Sequence, residues 1–173
     1  MTAKAVPHPT RLDRKQVLAL LAKAEAHIKA ERLDAAAEQY LKLLAEPVLD
    51  ELPSARTEVQ ANYGALLLHR ARMALEDEES AALLNEAIGL LDRACTAYRR
   101  GQGSGSSATA ATNLALAYFQ RYRVSGERAD LMAAHLALDG AEAAASGDND
   151  TLDWVRSIRD LLLEHTDRRR KPR

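Results

Sequence analysis

From Arg14 onward, apolar residues recur at spacings of three and four, the period of a helix with one buried face. Val17, Leu20, Leu21, Ala24 and Ile28 form one stripe, and Leu33, Ala36, Ala37, Tyr40, Leu41 and Leu44 form the next. The stripe breaks at Glu31-Arg32, which predicts two antiparallel helices joined by a tight turn, the second stopped by Pro47. After the short connection VLDELP, Ser54 is the expected N-cap of a third helix running to about Glu76, with Val59, Tyr63, Leu66, Leu67 and Met73 on one side. The acidic run Glu76 to Glu79 interrupts the pattern. Ser80 is then the expected cap of a fourth helix that carries Leu83, Leu84, Ala87, Leu90, Leu91 and Ala94 and closes near Arg100.

GQGSGSS, residues 101–107, reads as a loop, because three glycines among serines do not hold a helix. A fifth helix is expected over about 108–124 and a sixth over about 129–145. Asp150 is the expected cap of a seventh, with Asp153 as its capping-box acid and Trp154, Ile158, Leu161 and Leu162 as its apolar stripe. The expectation is therefore an all-α domain over 14–166, with helix pairs at about 14–47, 54–100 and 107–146 and a capping helix at 150–166. Residues 1–13, with Pro7 and Pro9, read as a flexible N-terminal arm, and 167–173 as a disordered basic tail with too little apolar content to fold.

Composition agrees with the pattern. The 173 residues fit one domain, and 34 Ala and 27 Leu against 6 Val and 3 Ile favour helix over strand. With 24 Lys plus Arg against 25 Asp plus Glu, the net charge is −1, so nothing draws the whole protein to nucleic acid or anionic lipid. The single cysteine, Cys95, excludes an internal disulfide framework and a zinc site built on cysteine pairs, and fits a reducing compartment. No run of 18 apolar residues and no apolar signal region occur, so the expected location is the cytoplasm and no membrane partner is expected.

The helix pairs share an internal pattern. Ala24, Gly64 and Ala115 are small residues in the middle of the three first helices. The second helices carry Ala36, Tyr40 and Leu43, then Ala87, Leu91 and Ala94, then Ala134, Leu138 and Ala141. Small residues let two helices approach closely while the bulky residue between them fills the gap. On these residues, residues 16–145 resemble the tetratricopeptide repeat (TPR) family. KAERLDAAAEQYLKLLAEP (29–47) is similar to the family's turn and second helix, and NYGALLLHRA (62–71) and NLALAYFQRY (113–122) are similar to its first helix. The spacings from Ala24 to Gly64 and from Gly64 to Ala115 are 40 and 51 residues, longer than the family's ~34, and are similar to long-helix variants of bacterial signalling proteins.

The resemblance implies a short α-solenoid, three stacked pairs plus the capping helix, acting as a non-catalytic adaptor or scaffold. A concave groove formed by the first helices would hold a peptide or helix of another protein. Asn62 and Asn113 would face the peptide, since an amide side chain offers a donor and an acceptor. Their implied neighbours are Glu58, Ala65 and His69 beside Asn62, and Thr109, Leu116 and Gln120 beside Asn113, with Leu21, Glu25 and Lys29 from the first pair. A family clamp for C-terminal carboxylates is not matched, because Leu21, Glu25, Thr109 and Asn113 stand at three of its basic places and one of its asparagines. A dedicated secretion-type chaperone of the same helical class is the alternative, and nucleic-acid or acidic-partner binding through the basic tail is a third reading.

No catalytic signature stands beside this. The five histidines never form HExxH, and no GxSxG or Cys/His pair occurs. The glycine loop lacks the preceding strand and following lysine of a phosphate cradle. Glu76 to Glu79 read as a solvated helix end, Cys95 as a small packing residue, and Trp154 as a cover over the open end of the third pair. No cofactor and no metal are expected.

Overall fold

The computed structural model describes residues 12–103 and 105–170, with side chains described through Thr166; the expected arm up to Arg11 and the tail from Lys171 lie outside these. Among the described residues seven α-helices follow one another: α1 Arg14–Lys29, α2 Leu33–Leu44, α3 Pro53–Met73, α4 Asp77–Arg99, α5 Ser107–Ser125, α6 Arg128–Ala144 and α7 Asn149–Arg170. A 3-10 turn, Pro47–Glu51, links α2 to α3. No strand occurs among the described residues, and none of their helices is long and apolar enough to cross a membrane.

Local chemistry sets the boundaries. Asp13 opens α1 with a reciprocal capping box: its carboxylate accepts the Gln16 N–H at 2.8 Å and the Gln16 side chain accepts the Asp13 N–H at 2.8 Å. At the far end, the Arg32 N–H reaches the His27 carbonyl and the Glu31 N–H the Ile28 carbonyl, both at 2.9 Å, a closure that puts Glu31 at φ 55°.

Three expected caps are displaced. Helix α3 starts at Pro53 rather than after Ser54, since a first-turn proline has no N–H to leave unpaired. Helix α4 starts inside the acidic run, at Asp77, where carboxylates meet the positive end of the helix dipole. Ser80 is consequently not a cap; it is buried and donates its hydroxyl to the Ala71 carbonyl at 3.0 Å, tying the start of α4 to the end of α3. Asp148, not Asp150, caps α7 by accepting the Thr151 N–H at 3.2 Å and the Thr151 hydroxyl at 2.6 Å, which hold the carboxylate below its ordinary range. The helix continues to Arg170, four residues past the expected end, in keeping with the high helix propensity of arginine.

Consecutive helices pack antiparallel: Ala71 meets Ser80, Gly64 meets Leu91, and Glu58 meets Tyr98 along α3 and α4. Helices α3, α5 and α7 also touch in succession, and α6 packs on α5 and α7. The small positions are where the backbones come closest. Ala24, Ala36, Ala87, Ala94, Ala115, Ala134 and Ala141 are fully enclosed, as are Leu43, Leu91 and Leu138 between them. A Cβ placed on Gly64 would lie 2.7 Å from the Leu91 Cγ and 3.3 Å from the Ala87 carbonyl oxygen.

Helix α7 is rotated from the expected face. Val155 and Leu162 are buried, while Trp154 and Leu161 are exposed, so Trp154 does not form the lid over the third pair. The rotation follows from Arg159, one turn after Val155, whose guanidinium donates to Glu142 and Asp139 of α6, both at 2.7 Å. That fork is met only with Arg159 turned toward α6.

The crossing at Gly64 has a measurable consequence. Gly64→Ala should lower stability by ~1–3 kcal/mol through overpacking, even though alanine is the better helix former by ~1 kcal/mol. Urea midpoints read this directly, and an unchanged or raised midpoint would remove the close-packing role.

Candidate functional site

Helix α1 packs on α2 but stands off α3. The two run parallel, since Arg14 and Leu18 face Pro53 and Ala55 at one end while Ile28 and Lys29 face Ala65 and His69 at the other. Between them lies an open cleft in two connected parts that share Glu25: an inner cavity of about 870 Å³ toward the ends of the helices and a mouth of about 570 Å³ at their starts.

Apolar residues line much of the inner cavity: Ile28, Leu33, Ala65 and Leu66, with Tyr40 at its base. Tyr40 is buried and its ring lies 5.9 Å from that of Tyr63. Burial, reinforced by the charge of Glu25, pushes the Tyr40 hydroxyl up to about 12 against an opposing hydrogen bond from the Asn62 side chain. Asn62 is half-exposed, lines the inner cavity and is joined through its side chain to Tyr40. Glu25, Lys29, Glu31 and His69 surround it with charged and polar groups.

Five expected groove residues thus share one cavity: Glu25, Lys29, Asn62, Ala65 and His69. Glu58 lies in the mouth but is engaged elsewhere. Its carboxylate accepts the Gly105 N–H at 2.7 Å and the Tyr98 hydroxyl at 3.3 Å, and so fastens the α4–α5 loop to α3. The loop's glycines serve that approach: a Cβ on Gly103 would lie 2.5 Å from the Tyr98 ring, and one on Gly105 would lie 2.7 Å from Glu58 Oε2. Burial, followed by the adjacent Glu58 charge, drives the Tyr98 hydroxyl far above its ordinary range.

The α5 residues do not join the cleft. Thr109 is in the first turn, where its N–H meets the Ser106 hydroxyl at 3.1 Å, and Gln120 accepts from Arg123 at 3.2 Å. Asn113 and Leu116 are half-buried along α5, and none of the four lines either part of the α1–α3 cleft. The physical reason is that α5 packs on α3, α4, α6 and α7 and does not face α1.

Sequence reasoning missed Tyr40 and Leu33 as cleft residues, since both read as core. It also missed the apolar rim beyond His69, where Met73 and Leu75 are 70% and 95% exposed around a further cavity of about 380 Å³. Met73 was expected on the packed face; α4 turns away at Asp77 before it can cover that last turn.

Among the described residues no group of three or more His, Cys, Asp or Glu is placed to hold a metal. Cys95 is buried, and burial pushes its thiol up to about 11. At neutral pH the thiol is protonated, and the thiolate is the nucleophile.

No family model matches the chain, and no curated protein or solved structure shows significant similarity to it.

Cys95 and Tyr40 give the fold an alkaline limit. Both titrate higher in the folded chain than their ordinary 9.0 and 10.0, so the protonated forms contribute stability fully below about pH 9 and lose it as pH rises through about 11 to 12. The urea midpoint should hold from pH 7 to 9 and fall between pH 9 and 12, with Cys95→Ala reducing the first part of the fall. A midpoint flat to pH 12 would show that neither group is held protonated.

Proposed function

We propose that the protein is a non-catalytic interaction module of the TPR-like kind whose α1–α3 cleft holds a peptide or helical segment of another protein. The observation that carries this reading is the cleft itself: two parallel helices that do not pack closely on each other, with apolar residues, charged groups and the Asn62 amide lining the space between them. An apolar floor supplies affinity through area removed from water, and a few polar groups on it fix orientation. Asn62 is suited to a peptide backbone, because it offers a donor and an acceptor to a unit that carries both.

The binding surface in this proposal is narrower than the resemblance implied. Glu25, Lys29, Asn62 and His69 take part, while Asn113, Thr109, Leu116 and Gln120 on α5 lie outside the cleft. No chemical step is assigned, and no cofactor or metal enters.

The test compares variants for affinity to the partner captured by the full chain. Asn62→Ala removes a hydrogen bond to a peptide unit and leaves that unit unpaired, a loss of ~1–3 kcal/mol, or about tenfold in affinity. Ala65→Arg, which fills the inner cavity, should abolish binding. Glu38→Ala with Lys42→Ala, both exposed on α2, should leave it unchanged. Equal affinity of all variants, with circular dichroism unaltered, would place the partner on another face.

A further inference from the structure

The inner cavity of the α1–α3 cleft does not end at His69. Leu33 and His69 are walls both of that cavity and of the next one, which the end of α3 and the start of α4 enclose, so the two form one groove from Asn62 to Glu79. Along α3, Asn62 and Met73 are eleven residues apart, which is about 16 Å or three helical turns.

Three observations bear on what this groove takes. The first is apolar surface. Ile28, Leu33, Leu66, Met73 and Leu75 follow one another along it, and Met73 and Leu75 are among the most exposed apolar side chains of the described residues. A lone surface leucine needs no explanation, but several apolar residues around one concavity mark a contact surface. The second is charge. Glu25 and Glu31 line the α1 side and Glu76 and Glu79 the α4 side, against Lys29 and Arg70. Arg70 is already engaged by Asp34 at 3.6 Å, whereas none of these four carboxylates forms an ion pair among the described residues. The lining is therefore acidic. The third is backbone chemistry. The walls are helical faces whose peptide groups pair within their own helices, so they offer an extended chain no ladder to join. An occupant three turns long must pair its own backbone, and a helix does so. Its terminal peptide units stay unpaired, and the Asn62 amide stands at one end of the groove to meet one of them.

From this groove we infer that the partner segment is a basic amphipathic helix, its apolar stripe on Ile28, Leu33, Met73 and Leu75 and its lysines or arginines beside Glu25, Glu31, Glu76 and Glu79. The inference rests on the proposed function, since it gives the chemistry of the segment that the cleft holds. Apolar anchors on one helical face supply the affinity, and the flanking charges select the sign of the partner.

The experiment uses the full chain and two fluorescein-labelled synthetic peptides of about 14 residues, or four turns, with the same leucines at helical spacing. One carries lysine at the remaining positions and its counterpart carries glutamate. Anisotropy in about 0.15 M salt, which screens long-range attraction, should show the lysine peptide bound about tenfold more tightly, and circular dichroism should show it gaining helix when bound. Glu31→Lys with Glu76→Lys should weaken its binding about tenfold, and Met73→Ser with Leu75→Ser should weaken it as well. Glu38→Lys with Asp160→Lys makes the same charge change at exposed positions on α2 and α7 and should leave binding unchanged. Equal effects of the two charge reversals would show attraction to the chain as a whole and overturn the inference. So would tighter binding of the glutamate peptide, binding of neither peptide, or binding without a gain in helix. The Ala65→Arg partner assay judges the cleft separately: a partner that still depends on position 65 would leave the proposed function standing when the basic helix fails.

Discussion

The close crossing of α3 and α4 at Gly64 is the constraint on which the rest of the arrangement depends. With no Cβ on Gly64, Leu91 and the Ala87 carbonyl come against the α3 backbone, and α3 and α4 meet from Ala71 and Ser80 at one end to Glu58 and Tyr98 at the other. The following pair repeats the solution with Ala115 on α5 and Ala134, Leu138 and Ala141 on α6, all enclosed. Between α1 and α3 no such crossing exists. The face of α1 toward α3 carries Glu25 and Lys29 together with exposed Leu18 and Ile28, a mixed face that charged groups keep in contact with water rather than buried against α3. The first pair is held through α2 instead, by Tyr40 on Tyr63 and by Leu49 in the connecting turn. Tight packing in one place and its absence in the other therefore produce a packed helical stack with a cleft beside α1.

Charged forks then fix the register of the apolar stack. Arg121 of α5 donates to both oxygens of Asp130 at 2.9 and 2.6 Å and to Asn85 of α4 at 2.7 Å, and it lies 5.5 Å from the centre of the Tyr118 ring. One guanidinium so joins three helices. Arg159 does the same work between α6 and α7, and Glu58 ties the glycine loop to α3. Apolar area supplies the drive to pack but is non-directional; these planar, bidentate contacts choose the rotation of each helix.

Much of this was legible in the sequence because helical packing is periodic. The three-and-four spacing located all seven helices, and the small, bulky, small order marked the residues that are most enclosed. What was not legible depended on partners distant in sequence. Ser80 looks like a cap until the Ala71 carbonyl is found beside it, and Glu58 looks like a groove residue beside Asn62 until the loop forty-seven residues later folds onto it. Trp154 and Val155 are equally plausible lids by period, and Arg159 decides between them. The candidate site was half legible for the same reason. Asn62 and Asn113 occupy like places in the pattern, but Asn62 lines the α1–α3 cleft and Asn113 does not, because α5 packs on α3, α4, α6 and α7 and not on α1.

The central claim, that this gap is the working surface, is tested most directly by placing a photoreactive benzophenone side chain at Ala65 inside the cleft or at exposed Met132 on α6, and mapping the cross-linked segments by mass spectrometry. The expected result is one defined peptide segment joined to position 65, competed away by unlabelled partner, and none joined to position 132. A defined segment joined to position 132 and none to position 65 would contradict the account.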